Sequence, residues 1–167
     1  LMVKVFSRPE RWSVYRRRTI SEMESLGINS IGIVALVSVF IGAVLMLQMT
    51  INFESPFIPK VLMGYATREV MILEFSSTVV ALILAGRVGS SIASEIGTMR
   101  ITEQIDALEM MGVNSASYLI PPKVVATMLF FPLLAILSIF VGLVGGYVIT
   151  VFTGIVLPDA YLDGIRM

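Results

Sequence analysis

The sequence predicts an all-α integral membrane protein, and two observations support this class. Apolar residues make up 56% of the 167 residues, charged residues make up only 14%, and the mean hydropathy is +0.90. A soluble domain is about half apolar and about a quarter charged. The apolar residues are also concentrated in runs long enough to cross a bilayer as helices.

The composition also excludes several kinds of chemistry. The chain has no cysteine and no histidine, which excludes disulfides, thiolate nucleophiles, Cys/His zinc sites and imidazole acid–base catalysis. Its formal net charge is zero, so charge gives no reason to expect a nucleic-acid partner. It has no G-x-x-x-x-G-K-[ST] phosphate-binding loop. We therefore expect a chain that is not an enzyme, with no catalytic residue, metal site or cofactor of its own.

The amino-terminal stretch 1–24 predicts a helix lying on the membrane surface. Lys4, Arg8, Arg11 and the run 16–18 supply its positive charge, against three acids. Basic side chains of such a helix lie near anionic headgroups. Because basic segments stay on the cytoplasmic side, we expect a cytoplasmic amino terminus and an outward-running first span.

Two long runs carry no charged residue and predict two spans. Ser25–Phe53 exceeds the about 20 apolar residues that a spanning helix needs, and we expect the first span near 31–49. Val124–Leu157 is also uncharged, and we expect the third span near 124–152. Glycines on this third span predict a face for close helix packing: Gly142, Gly145 and Gly146.

The segment 61–86 predicts a middle span, although it contains Arg68, Glu69 and Glu74. Ionisable residues are tolerated inside a membrane when they face a bundle interior or a wet cavity. The alternative is a re-entrant or surface segment. If the segment spans, the short loop 52–60 lies outside the cell and the loop 87–123 is cytoplasmic.

The loop 87–123 contains two patterned stretches. Gly89, Ala93 and Gly97 recur every four residues, which predicts a small-residue stripe on a helix that continues from the second span and packs closely against another helix. Further on, 102–111 predicts a short amphipathic helix that stops near Gly112. Its acidic face is formed by Glu103, Asp106 and Glu109. Its apolar face is formed by Ile101, Ile105, Leu108 and Met111. Such a helix either lies on the membrane or offers its acidic face to a cytoplasmic partner.

Residues 85–114, AGRVGSSIASEIGTMRITEQIDALEMMGVN, resemble the signature region of MlaE/YrbE-type permeases. These are the membrane subunits of MCE-associated ABC transporters of the bacterial inner membrane. The similarity extends from the basic amino terminus through the third span. The resemblance implies movement of phospholipid or a related lipid between the inner and outer membranes.

The resemblance also implies partners. They are a second permease copy, two ABC ATPase subunits that bind ATP and Mg²⁺, a periplasmic MCE-domain ring and, in many members, a STAS-domain subunit. The short helix would be the coupling helix that seats on the ATPase, through Glu103, Gln104, Asp106, Glu109 and their neighbours.

The sequence departs from the family pattern in two respects. Many members have Arg-Glu where this chain has Leu73-Glu74, and Gly-Pro where it has Ser76-Ser77. The headgroup-binding arginine is therefore not at its usual position, and Arg68 is a candidate substitute. The family also continues for two further spans, so we expect this chain to lack carboxy-terminal spans.

The predicted lipid cavity combines apolar and ionisable residues of the first two spans: Met46, Leu47, Met49, Arg68, Glu69, Glu74 and Phe75. Methionine adapts to irregular apolar ligands, although core packing is its commoner role. Glu74 either hydrogen-bonds a neighbouring helix, for instance through Ser76 or Ser77, or borders the cavity where a headgroup passes.

Two other functions remain open from the residues alone. Arg68, Glu69 and Glu74 are compatible with an ion- or proton-coupled transporter or channel subunit, although we find no internal repeat of the kind that such transporters usually have. A membrane scaffold that only anchors partners is the third possibility. A P-loop ATPase that copurifies with the chain would distinguish a permease from a secondary transporter.

The membrane assignment makes a direct prediction. High salt or alkaline carbonate should leave the intact chain in the membrane pellet, because these treatments do not release helices that span the hydrocarbon. Immunoblotting of pellet and supernatant measures this. Intact chain in the soluble fraction would contradict the membrane assignment.

Overall fold

The computed structural model describes residues 12–53, 57–112 and 115–167, and the regular structure within these ranges is helical. The helices in chain order are α1 Trp12–Glu22, α2 Asn29–Asn52, α3 Val61–Val70, α4 Ser76–Ile101, α5 Gln104–Met110, α6 Ser115–Thr153 and α7 Pro158–Arg166. The π-helical segments Met23–Ile28 and Met71–Phe75 join α1 to α2 and α3 to α4. The predicted all-α class is confirmed. Residues 1–11 of the predicted surface helix lie outside the described residues.

Three continuous helical stretches are long and apolar enough to cross a membrane: Thr19–Asn52, Val61–Ile101 and Ile120–Thr153. The predicted spans near 31–49, 61–86 and 124–152 each lie inside one of them. The middle stretch is continuous through its ionisable residues, as a spanning segment requires.

Two helices extend beyond the predicted ends of their spans. The middle stretch continues to Ile101, as the small-residue stripe predicted, because residues 87–101 contain no proline to interrupt the backbone hydrogen bonds. At the third span, the helix begins at Ser115, before the predicted start near 124, and contains Pro121 and Pro122. Membrane helices tolerate internal proline because neighbouring groups satisfy the freed carbonyls.

The chain divides into two compact units. The first comprises the described residues of Leu1–Ser30 and Leu82–Pro132, and the second comprises those of Ile31–Ala81 and Leu133–Met167.

A buried lysine holds the first unit together. Lys123 on α6 is only 3% exposed. Its Nζ lies 3.0 Å from a carboxylate oxygen of Glu22 on α1, 2.9 Å from one of Glu95 on α4 and 2.9 Å from the hydroxyl of Ser91 on α4. An ammonium group has three N–H donors, so these three acceptors satisfy it fully. The single side chain thereby joins three helices.

A second polar contact in the first unit lies where α1 continues into α2. Arg87 donates from Nη1 to the hydroxyl of Ser30 at 3.1 Å. Ser30 is fully buried and its hydroxyl in turn donates to the carbonyl of Leu26. Nearby, a Cβ on Gly27 would lie 2.6 Å from the ring of Phe130. The absence of a side chain at Gly27 therefore permits close packing against α6.

In the second unit, α2 and α6 approach closely along a seam of small residues. The hydroxyls of Ser38 and Ser138 lie 2.8 Å apart. A Cβ on Gly42 would overlap the carbonyl of Gly142, and one on Gly145 would overlap the carbonyl of Val39. This contact confirms the predicted packing role of the third-span glycines, because small residues let two membrane helices approach at backbone distance.

The carboxy-terminal helix α7 packs against α3 in the same unit. A Cβ on Gly64 would lie 2.6 Å from the carbonyl oxygen of Tyr161. A Cβ on Gly164 would overlap the carbonyl oxygen of Val61. Tyr161 is fully buried, and its hydroxyl donates to the carbonyl of Leu143 at 3.0 Å. Burial raises the pKa of Tyr161, so the phenol remains a protonated donor at physiological pH.

The α2–α6 seam predicts opposite effects for two glycine substitutions. Gly42→Ala should lower the free energy of unfolding by about 3 kcal/mol, at the upper end for overpacked cores, because the new methyl group meets backbone. Gly32→Ala is the matched control on the same helix, since no atom lies within 4 Å of its Cβ position. It should raise the free energy by up to about 1 kcal/mol through helix propensity. Equilibrium unfolding in mixed micelles measures both, and equal effects would contradict the seam.

Candidate functional site

The second unit carries an open groove of about 340 Å³. Its lining consists of one face of α2 and one aromatic residue of the π-helical segment: Leu36, Val37, Phe40, Ile41, Val44, Leu45, Gln48 and Phe75. We refer to this surface as the α2 groove.

The shape of the α2 groove follows from helical periodicity. Residues 36, 40, 44 and 48 are each one turn apart, so their side chains stack on one face of the helix. Phe40 is 64% exposed, and Leu36 and Val44 are also exposed. Gln48 is the one lining residue with a polar side chain. Such a surface can contact an extended hydrocarbon chain through dispersion and offers little to a polar ligand.

Glu74 directly precedes the groove residue Phe75. Its side chain is exposed, and it makes no hydrogen bond or ion pair with any residue that the structure describes. Ser76, one of its expected partners, donates instead to the carbonyl of Ala135 at 2.8 Å. An acid at the centre of a membrane helix costs about 2.5–3.5 kcal/mol on insertion scales. The carboxylate is therefore a costly group left free for something outside the described chain.

The segment that carries Glu74 is π-helical, over Met71–Phe75. A π-helical turn is wider than an α-helical turn, and such turns occur frequently at functional sites. Glu74 and the groove residue Phe75 therefore lie in the same π-helical segment.

Arg68 and Glu69 form an ion pair, and Arg68 also contacts other residues of the second unit. The Arg68 Nη2 lies 2.8 Å from a carboxylate oxygen of Glu69, and its Nη1 donates to the carbonyl of Ile165 at 3.1 Å. The guanidinium carbon also lies 5.0 Å from the centre of the Tyr65 ring, at cation–π distance. Arg68 thus has partners other than Glu74.

The two methionines predicted to line the cavity, Met46 and Met49, are not among the residues that line the α2 groove. Met46 is 2% exposed and packs in a core cluster with Met63, Val156 and Tyr161. Leu47 and Met49 are partly buried and are not among the groove residues. Of the seven predicted cavity residues, Phe75 lines the groove and Glu74 adjoins it. A lipid-binding role for the others stays a prediction.

The short helix predicted over 102–111 is present as α5, which covers only Gln104–Met110. Glu103 precedes it with φ 55°, a left-handed conformation that turns the chain between α4 and α5. Gly112, with φ 76°, follows its carboxy-terminal end. Glu103, Gln104 and Asp106 are exposed. The side chain of Glu109 lies outside the described residues.

The apolar face of α5 is only partly covered. Ile105 and Leu108 are half-buried, whereas Ile101 and Met111 are 86% and 69% exposed. Asp106 forms one ion pair, in which its carboxylate lies 3.6 Å from Nη1 of Arg100. Exposed pairs of this kind contribute about 0–1 kcal/mol. The side chains of Glu103 and Asp106 are therefore accessible to a partner.

The small-residue stripe on α4 is exposed. Gly89, Ala93 and Gly97 all face away from the described chain, and no atom lies within 4 Å of a Cβ built on either glycine. Its predicted role in helix packing therefore stays a prediction, and it would need a partner beyond these residues.

Two features were not predicted from the sequence. They are the α2 groove and the contacts of Lys123 with Glu22, Glu95 and Ser91, which we call the Lys123 cluster. In the first span every face is apolar, so the spacing of Leu36, Phe40 and Val44 did not distinguish a groove from a lipid-facing surface. Lys123 stands at the start of the third span, where a lysine usually reaches towards water. Its partners Glu22 and Glu95 are distant in sequence, and no local pattern connects the three.

Comparisons with known proteins give a consistent result. A family model described as Permease MlaE matches residues 19–167. The chain is 36% identical to a probable ABC transporter permease protein of Synechocystis sp., over 98% of this chain and 62% of that protein. It is 36% identical to the intermembrane phospholipid transport system permease protein MlaE of Haemophilus influenzae, over 79% of this chain and 50% of that protein. It is 31% identical to the chloroplastic protein TRIGALACTOSYLDIACYLGLYCEROL 1 of Arabidopsis thaliana, over 84% of this chain and 40% of that protein. The chain therefore spans about half the length of these relatives.

The free carboxylate makes a stability prediction. Glu74→Leu should change the free energy of unfolding in bicelles by no more than about 0.5 kcal/mol, because the side chain is in the bilayer in both states and has no hydrogen bond or ion pair to lose among the described residues. Glu69→Leu is the matched control on the same stretch and should lower it, because it leaves the guanidinium of Arg68 without its carboxylate. Steric-trapping measurements give both values. A loss of stability in Glu74→Leu would show that the carboxylate has a stabilising partner in the protein.

Proposed function

The chain belongs to the MlaE permease family, and we propose that it is the membrane permease subunit of an ABC transporter that moves phospholipid or a related lipid between the inner and outer membranes. The observation that supports this proposal is the α2 groove, an open apolar surface whose lining residue Phe75 directly follows the exposed Glu74 in the chain. The name of the Haemophilus influenzae relative supports the cargo class. Family membership disfavours the secondary-transporter and scaffold alternatives.

The groove would hold the hydrocarbon part of the lipid. An acyl chain laid along Leu36, Phe40 and Val44 replaces contacts with bilayer lipid by similar contacts with the protein. Binding is then weak enough to be reversible, which a carrier requires because the cargo must also leave.

Glu74 would act on the headgroup. A carboxylate in apolar surroundings attracts the cationic amine of a zwitterionic headgroup and repels its phosphate. It therefore orients the headgroup without enclosing it. The family pattern has an arginine before this acid, which Leu73 replaces here. Since Arg68 is engaged elsewhere, we propose that Glu74 performs the polar part of recognition in this chain without an arginine partner.

The energy would come from a partner ATPase that binds ATP and Mg²⁺. Its contact on this chain would be the exposed residues Glu103, Gln104 and Asp106, with Glu109 on the same helix. In the sequence, α5 lies between α4 and α6, so a force on α5 would act on both of these helices. This is the arrangement that a coupling helix needs.

The remaining partners and the orientation follow from the same family. Arg16 and Arg17 are exposed on α1, which supports a cytoplasmic amino terminus at the bacterial inner membrane. A second permease copy would account for the exposed stripe of Gly89, Ala93 and Gly97. A periplasmic MCE-domain ring and a STAS-domain subunit would complete the complex.

Native mass spectrometry of the purified permease complex tests the function and the docking surface together. The unmodified protein should carry an ATPase and bound phospholipid. Glu103→Lys/Asp106→Lys should lose the ATPase and keep the phospholipid, because it reverses the charge of the docking surface. Asp159→Lys/Asp163→Lys is the matched control, with the same charge change at exposed positions of α7. An ATPase that stays bound to the first variant would contradict the docking assignment.

A further inference from the structure

The Lys123 cluster contains more charge than a structural contact between helices needs. Two carboxylates, from Glu22 and Glu95, face a single ammonium group. The lysine is almost fully buried, and the two acids are partly buried. Replacing a buried ion pair by apolar residues of similar size is often neutral or stabilising. Stability alone therefore does not explain the cluster.

An ion cluster does provide a defined geometry. Each of the three hydrogens of Nζ has its own acceptor, at 2.9–3.0 Å, and the acceptors lie on two different helices. A shift of α1 or α4 relative to α6 would leave a buried charge unpaired, which is strongly unfavourable. Apolar contacts, by contrast, allow helices to slide with little loss. The cluster therefore fixes the register of α1, α4 and α6.

The helix α5 lies in the same unit but is held much more weakly. It extends only from Gln104 to Met110, between a turn at Glu103 and another at Gly112. Its ion pair with α4, between Asp106 and Arg100, is exposed and 3.6 Å long. A force applied to α5 moves the neighbouring helices together only if those helices are themselves fixed to one another.

We propose that Lys123 is a positioning residue that locks α1, α4 and α6 into one rigid body, so that movement of α5 is passed to the spans instead of being absorbed between helices. The proposal rests on the proposed function, since it assigns Lys123 a part in transmission from the ATPase. It also assigns a role to Glu22, which attaches the amino-terminal helix to this body.

The chain contains no cysteine, so spin labels can be placed at two chosen positions. Ser21→Cys on α1 and Ser94→Cys on α4 are both exposed and outside the cluster. Double electron–electron resonance on the permease complex in nanodiscs then reports the distance between these helices. When the labelled permease is assembled with an excess of unlabelled copies, distances between two copies are suppressed, and the labelled background should give one narrow distance distribution.

The cluster is removed by Lys123→Met/Glu22→Gln/Glu95→Gln, which leaves no unpaired charge and should therefore fold. This triple variant should give a broad distance distribution. It should also assemble with the ATPase and hydrolyse ATP, but the amount of lipid transferred per ATP should fall to a small part of the unmodified value.

Lys123→Arg keeps the charge and should restore a narrow distribution and most of the lipid transfer. Lys60→Met is the control, because it removes an exposed amino group that donates to the carbonyl of Ile155, and it should change neither quantity.

The outcomes separate the two proposals. A narrow distribution in the triple variant would show that Lys123 does not fix these helices. A broad distribution with unchanged lipid transfer per ATP would show that the cluster has no part in transmission. If the unmodified complex moves lipid without ATP, the proposed function is wrong, and so is the proposed role of Lys123 in transmission from the ATPase. The distances between the spin labels then still show whether the cluster fixes the helices.

Discussion

In the hydrocarbon of a bilayer a helix finds no water, so every polar group that it carries needs a partner inside the protein. The structure meets this constraint in both units. The hydroxyl of Ser38 lies beside that of Ser138, and the hydroxyl of Ser76 donates to a backbone carbonyl. Tyr161 donates to the carbonyl of Leu143 from a fully buried position. The most demanding group is the ammonium of Lys123, which three acceptors satisfy.

Glu74 is an exception within the described part of the chain, because its exposed carboxyl group makes no hydrogen bond or ion pair with any residue there. The nearby Arg68 and Glu69 are paired with each other, although Nε of Arg68 is buried without a hydrogen-bond partner among the described residues. A carboxylate left unpaired in a spanning helix is costly to insert into the bilayer, and a protein keeps such a group when function requires it. Its position beside Phe75 and the α2 groove connects it with the bulky apolar surface that an acyl chain needs. The proposed lipid site would thus combine an apolar surface for the acyl chain with an acidic residue for the headgroup.

Much of this arrangement could be predicted from the sequence, and the remainder depends on tertiary contacts. Uncharged runs predicted the spans because bilayer thickness fixes their length. Glycines such as Gly142 predicted close packing because only small residues allow backbone contact. The environment of Met46 could not be predicted, because a methionine in an apolar helix suits a core and a cavity equally well. The partners of Lys123 could not be predicted either, because helix packing alone brings Glu22 and Glu95 together with it.

The central claim is that the free carboxylate of Glu74 controls the passage of lipid, and Glu74→Gln tests it most directly. Glutamine keeps the size and hydrogen-bonding capacity of the side chain and removes its charge. The measurement is the amount of phospholipid transferred between membranes per ATP hydrolysed by the reconstituted complex, with the unmodified protein as reference. We expect the variant complex to assemble and hydrolyse ATP normally while lipid transfer falls. Lipid transfer at the unmodified rate by the glutamine variant would contradict the account.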